Sequence, residues 1–195
     1  MRIGILALSL ALSGAALAQT GSAAQDDKAA GKAAQKTAES RKPTDPQIAH
    51  VAATAHQIDI ERGKMALKKS KNAEVKQFAE QMVNDHQAGL KEAVALCGRL
   101  GVKPEPNATS KALLDGAKKA TTKLQKLNGK AFDKEYIDTE VAYHQAVIDA
   151  VKNTLIPSAQ NDQLKQLLTD TGPTLEGHLQ HAKNVQSQLG GSASR

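Results

Sequence analysis

The chain has 195 residues, with 26 Lys and Arg against 20 Asp and Glu, a net charge of +6, no Trp, two Phe, two Tyr and one Cys. Its basic residues are scattered and stacking aromatics are scarce, which argues against a specific nucleic-acid binder; a weak attraction to anionic envelope surfaces is the partner this charge allows. Cys97 stands alone, so no intrachain disulfide is possible and the fold must rest on its apolar core.

The chain opens with Arg2, an apolar run from Ile3 to Leu12, and Ala16-Leu17-Ala18. This is the pattern of a secretory signal peptide over residues 1–18, cleaved before Gln19. It is too short to remain as a membrane anchor. No later segment reads as a transmembrane helix. The mature chain is therefore expected to be exported, periplasmic or outer-membrane-associated rather than transmembrane, with a charge of +5 once Arg2 is gone. Residues 19–44 hold Ala, Gln, Lys, Ser, Thr and Gly without a large apolar side chain. Such a segment buries too little surface to offset its ordering entropy and reads as a disordered tether.

From residue 45 to 189 the pattern is helical, and no alternating run reads as a strand. The first helix begins near Pro46 with Asp45 as its N-cap. Ile48, Val51, Ala52, Ala55, Ile58, Met65 and Ala66 form one apolar face, with Asp59 and Arg62 inside it. "KKSKNAE" turns the chain, and a second helix runs from about Ala73 to Leu100, closed by Gly101. A loop with two prolines leads to a shorter helix, about Ser110–Leu127. The next long helix spans Ala131 to about Leu155 and is stopped by Pro157. The last spans about Asn161–Leu189, with Pro173 expected to kink it and residues 190–195 as a disordered tail. Four long helices of roughly 35 to 45 Å, joined short–long–short, describe an all-α, ferritin-like antiparallel four-helix bundle. Its extra short helix lies in the crossover between bundle helices 2 and 3.

Three histidines, His86, His144 and His178, fall mid-helix on inward faces of three different helices, at heights an antiparallel bundle brings together. Glu140 shares the face of His144 four residues away. Asp85, Asp59, Glu176 and His181 lie near the same level. Burying such groups is costly unless they are paired or metal-bound. One reading is a core metal site for iron, copper, zinc or manganese with His86, His144, His178, Asp85 and Glu140 as ligands, and Asp59, His181 and Glu176 as secondary candidates. The other is a buried polar network, with Tyr136 and Tyr143 as further members, that fixes helix register and holds no metal. No Glu-x-x-His occurs, so the di-iron pattern of ferritin-like proteins is not met. His50 and His56 read as plain, partly exposed histidines. Cys97 reads as a small buried hydrophobe, or else as a free thiol that pairs two chains. No nucleophile stands beside a base, so hydrolase chemistry has no support; an enzyme of peroxide or oxygen chemistry would need open coordination positions on a bound metal.

Asp133 in "AFDKEY", "MVNDH" at 82–86, "YIDTEVAYH" at 136–144 and "GPTLEGHLQHA" at 172–182 together resemble an exported bacterial family, domain of unknown function 4142. Its members have ferritin-like folds and are often described as outer-membrane proteins. The resemblance spans about residues 45–187. It implies that His86, His144 and His178 are the family's characteristic histidines and Asp85 its acidic neighbour. Members usually carry Glu in place of Asp59 and Asp in place of Tyr143, which weakens a ligand role at both positions. The function expected first is a non-catalytic structural or stress-related envelope protein. The alternative is a metal-binding or redox protein using the histidine cluster.

Overall fold

The computed structural model describes residues 42–191. The expected signal peptide, nearly all of the tether, and residues 192–195 lie outside the described residues. Five helices follow one another: α1 Asp45–Lys69, α2 Ala73–Leu100, α3 Ala108–Lys126, α4 Gly129–Ala150 and α5 Asp162–Gly191. No strand occurs among the described residues. None of these helices is long and apolar enough to cross a membrane.

Local chemistry explains the boundaries. Thr44, not Asp45, is the N-cap of α1, and Gln47 Oε1 accepts the orphan Thr44 N–H at 3.1 Å. Asp45 is spent elsewhere: its two carboxylate oxygens accept the N–H groups of Gln160 and Asn161 at 2.8 and 2.9 Å, tying the start of α1 to the start of α5. Asn72 accepts from Val75 N–H at 3.1 Å to open α2, and Asn107 accepts from Ser110 N–H at 2.8 Å to open α3. α4 does not stop at Ala150. It continues through a π-helical turn, Val151–Leu155, into a last turn, Ile156–Ser158, that contains Pro157. α5 runs on through Pro173 and past the expected end at Leu189 as far as Gly191.

α1 packs on α2 and α4, and α5 packs on α4 and α2, so the four long helices form a closed ring of neighbours. α3 lies against α1 and α4. The core has two apolar halves. One gathers Ile48, Val51, Leu96, Leu155, Leu164 and Leu168; the other gathers Val75, Phe78, Met82, Phe132, Tyr136 and Val185. Each fully buried large side chain contributes roughly 1.5–3 kcal/mol. The order in which each helix visits these halves fixes its direction. α1 and α5 run from the first half to the second, α2 and α4 from the second to the first. Neighbours are thus antiparallel, whereas α2 and α4 point the same way. A chain leaving α2 must climb the whole bundle before starting α4, and α3 makes that climb. Close approach of α1 to α2 depends on Gly63, where a Cβ would stand 2.8 Å from Val83 Cγ2 and 3.0 Å from the Ala79 carbonyl.

Candidate metal centre

Between the two apolar halves lies one polar layer, reached by every long helix: Asp59 and Arg62 on α1, His86 on α2, Glu140 and His144 on α4, and His178 on α5. All six are at most 3% exposed. The ring centroids of His86, His144 and His178 are 5.1, 5.4 and 5.8 Å apart pairwise. Each offers a ring nitrogen such that the three atoms lie within 4.8 Å of one another.

The other nitrogen of each ring is held. His144 Nδ1–H donates to the Glu140 backbone carbonyl at 3.0 Å, one turn back on the same helix. His178 Nε2–H donates to Asp85 Oδ2 at 2.9 Å, across to α2. His86 Nδ1 lies 2.9 Å from His56 Nδ1. A carbonyl and a carboxylate only accept, so they place the protons on those nitrogens and leave lone pairs on His144 Nε2 and His178 Nδ1. His86 Nε2 makes no hydrogen bond either; it lies 3.4 Å from Asp59 Oδ2. These three nitrogens, His86 Nε2, His144 Nε2 and His178 Nδ1, have no hydrogen-bond partner among the described residues. His144 and His178, each anchored at one nitrogen by a carbonyl or carboxylate and unpartnered at the other, are held as a metal site requires of its histidines.

The second half of the layer is already charge-balanced. Arg62 Nη2 donates to Asp59 Oδ1 at 2.9 Å, and Arg62 Nε lies 3.0 Å from Glu140 Oε1. The guanidinium lies 4.0 Å from the Tyr143 ring centroid, and Tyr143 donates its hydroxyl to the Ala55 carbonyl at 3.2 Å. Burial works against the charge on Arg62, yet Glu140 and Asp59 raise its pKa above the ordinary value. Burial alone would push Asp59 up, but Arg62 and the histidines hold its carboxyl below the usual range. Burial dominates at Glu140 and lifts it well above the usual range; Arg62 offsets this only in part, and the Asp59 charge raises it further. One guanidinium therefore balances one ionised carboxylate, with Glu140 carrying its proton. Burial also depresses His86 to about 4, despite the Asp59 carboxylate 3.4 Å from its Nε2. His144 and His56 are lowered by burial in the same way. Neutral imidazole is the form that binds metal.

The expected residues fall as follows. His86, His144, His178, Glu140 and Asp59 are in the layer, and Asp85 is at its edge, its side chain 40% exposed. Glu176 is not: it is exposed and pairs with Lys152 at 2.6 Å. Two residues from His178 is about 200° around a helix, which turns it to the opposite side. His181 sits one turn further along, bonded to Gln81 Oε1 at 2.7 Å and packed edge-on against Phe78. Tyr136 is fully buried with an unpartnered hydroxyl, and burial raises its pKa well above the usual value. His50 bonds Thr54 at 3.3 Å, away from the layer. Cys97 is half-buried outside it. His56 corrects the sequence reading, because it touches His86 directly. Its ring occupies the space that Gly89 leaves on α2, where a Cβ would stand 2.6 Å from His56 Cε1. A glycine inside a long helix, where it is about 1 kcal/mol worse than Ala, was the signal for a ring packed against that backbone.

The fold and its site define a class: a helical bundle with a buried cluster of histidines drawn from three helices. The chain belongs to the family described as domain of unknown function (DUF4142), whose pattern matches residues 15–185. No curated protein matches it significantly. Among solved structures it is similar to CopM in the Cu(II)-bound form, at 21% identity and a TM-score of 0.57, covering 75% of this chain and 98% of that one. It is also similar to a DUF305 protein from Streptomyces coelicolor described as secreted, at 13% identity and a TM-score of 0.63, covering 74% of this chain and 92% of that one. At these identities the likeness is one of fold.

Proposed function

We propose that this is an exported, envelope-resident protein that binds one transition-metal ion through His86, His144 and His178, within a bundle of ferritin-like connectivity. The observation that carries the reading is that His86, His144 and His178, from α2, α4 and α5, each bring one ring nitrogen within 4.8 Å of the others, and that each ring keeps one nitrogen without a hydrogen-bond partner. Leaving one buried polar atom unsatisfied costs about 1–3 kcal/mol. Three converging on one point have a common explanation in a shared ligand. Three imidazoles without a thiolate suit copper or zinc, and the affinity order for divalent ions peaks at copper. The similar fold of a copper-bound protein supports copper as the first choice. Bound metal would supply a Lewis-acidic or redox-active centre; the chain's own part is to hold the three rings buried and oriented. Arg62 argues for a single ion. Asp59, Glu140 and His144 also lie close enough to form a ligand group, but the Arg62 guanidinium already sits 2.9 Å from Asp59 and 3.0 Å from Glu140 and is the cation of that half of the layer.

The Arg62–Asp59 pair supports a second reading, in which the whole layer is a metal-free network that fixes helix register in a structural envelope protein. Elemental analysis separates the two. The mature chain, made without an affinity tag and supplied with copper, is expected to retain about one equivalent after desalting. His86→Ala should lose it and His50→Ala should keep it. Occupancy under about a tenth of an equivalent in the unsubstituted chain would leave the structural reading.

A further inference from the structure

Above the histidine layer, on the side of the first apolar half, a cavity of about 350 Å³ opens between the long helices, with the first turn of α3 against it. That is the low end of the range for small-molecule sites. Its inner wall is aliphatic, with Val51, Val147, Leu155, Leu168 and Leu175 among its lining, and its floor includes His86 and His178. The floor rings are 3% and 2% exposed, and their unpartnered nitrogens are those described above. The rim is exposed and acidic: Glu92 on α2 and Asp170 on α5 face solvent, and Asp85 is partly exposed. Four carboxylates and no Lys or Arg line the cavity, in a chain whose net charge is +6.

We infer that this cavity is a binding site for small lipophilic cations: an ammonium head on a short alkyl or arylalkyl chain. The apolar wall removes the chain from water, at about 25 cal/mol per Å² of buried apolar surface. The head stays at the rim among Asp85, Glu92 and Asp170, where it keeps part of its hydration and meets only negative charge. A fatty-acid carboxylate of the same length would meet three like charges at the rim and no compensating cation anywhere in the lining. The site does not depend on the metal reading, because tail and head are held by residues outside the three-histidine set.

The test is calorimetric titration of the mature chain with octyltrimethylammonium, which cannot ligate a metal, and separately with octanoate. The cation should bind at least about tenfold more tightly than the anion. Glu92→Gln/Asp170→Asn, which leaves the histidines and Asp85 in place, should weaken the cation by roughly three- to tenfold, since exposed charge pairs contribute 0.2–1 kcal/mol each, and leave copper stoichiometry unchanged. Ala52→Phe, at a partly buried position in the lining, should abolish binding of the cation. Octanoate binding as tightly as the cation, no binding of the cation, or indifference to the double substitution would each overturn the proposal, whatever the outcome of the metal analysis.

Discussion

Arg62→Leu should unfold about 3–5 kcal/mol more easily than the parent chain in urea, measured without metal. The side chain of Arg62 is 3% exposed and that of Asp59 2%. Removing the guanidinium leaves Asp59 ionised, buried and without its 2.9 Å partner, and removes the cation beside Glu140. The expected loss is that of an uncompensated buried charge, which exceeds the net worth of the pair. Adding Asp59→Asn should therefore restore much of the stability, because the orphaned charge is gone as well. The coupling between the two substitutions should be far from zero, as for residues in direct contact. A loss below about 1 kcal/mol for Arg62→Leu would mean that the Asp59 carboxylate does not depend on Arg62 for its compensation.

Acidification should destabilise the metal-free protein, and the window follows from the shifts. His86 has its pKa lowered from 6.5 to about 4 by burial. Between those values the unfolded chain binds a proton that the folded chain refuses, so stability is whole above about pH 6.5 and declines as pH falls toward 4. His86 alone contributes on the order of 3 kcal/mol over that span, and the lowered pKa values of His144 and His56 act in the same direction. Glu140 opposes them. Its pKa is raised, so the folded state holds a proton that the unfolded state gives up above 4.5, and its contribution is lost as pH rises. Glu140→Gln keeps the neutral, buried group and removes that titration. In this variant the urea midpoint should fall steadily from pH 7 to pH 4.5. A midpoint that holds or rises would show that the imidazoles are protonated in the fold.

How far the sequence reached can be seen residue by residue. The three-and-four spacing of apolar residues placed the four long helices, and it placed His86, His144 and His178 on inward faces. Matched helix lengths then brought those rings to one level. Contacts between helices carried no such local signal. Asp59 and Arg62 are three apart and could be paired by inspection, but Glu140 lies 78 positions from Arg62 and joins them only because α4 packs on α1. Asp85 adjoins His86 in sequence, yet its carboxylate reaches His178 on α5. His56 lies off the main apolar stripe of α1 and is covered only because Gly89, on another helix, leaves room for its ring. Glu176 was placed near the cluster by sequence distance, where the 100° step of the helix turns it to solvent.

The convergence of three bare ring nitrogens is tested most directly by ring-nitrogen NMR of the mature chain with ¹⁵N-labelled histidine, titrated with the diamagnetic ion Zn²⁺. Before metal, His144 should carry its proton on Nδ1 and His178 on Nε2, as their partners dictate. Up to about one equivalent, His86 Nε2, His144 Nε2 and His178 Nδ1 should shift together to the metal-bound range, with His50 and His181 unmoved. Shifts that begin at His50 or His181, or three target rings that stay unchanged or respond at different stoichiometries, would contradict a common site.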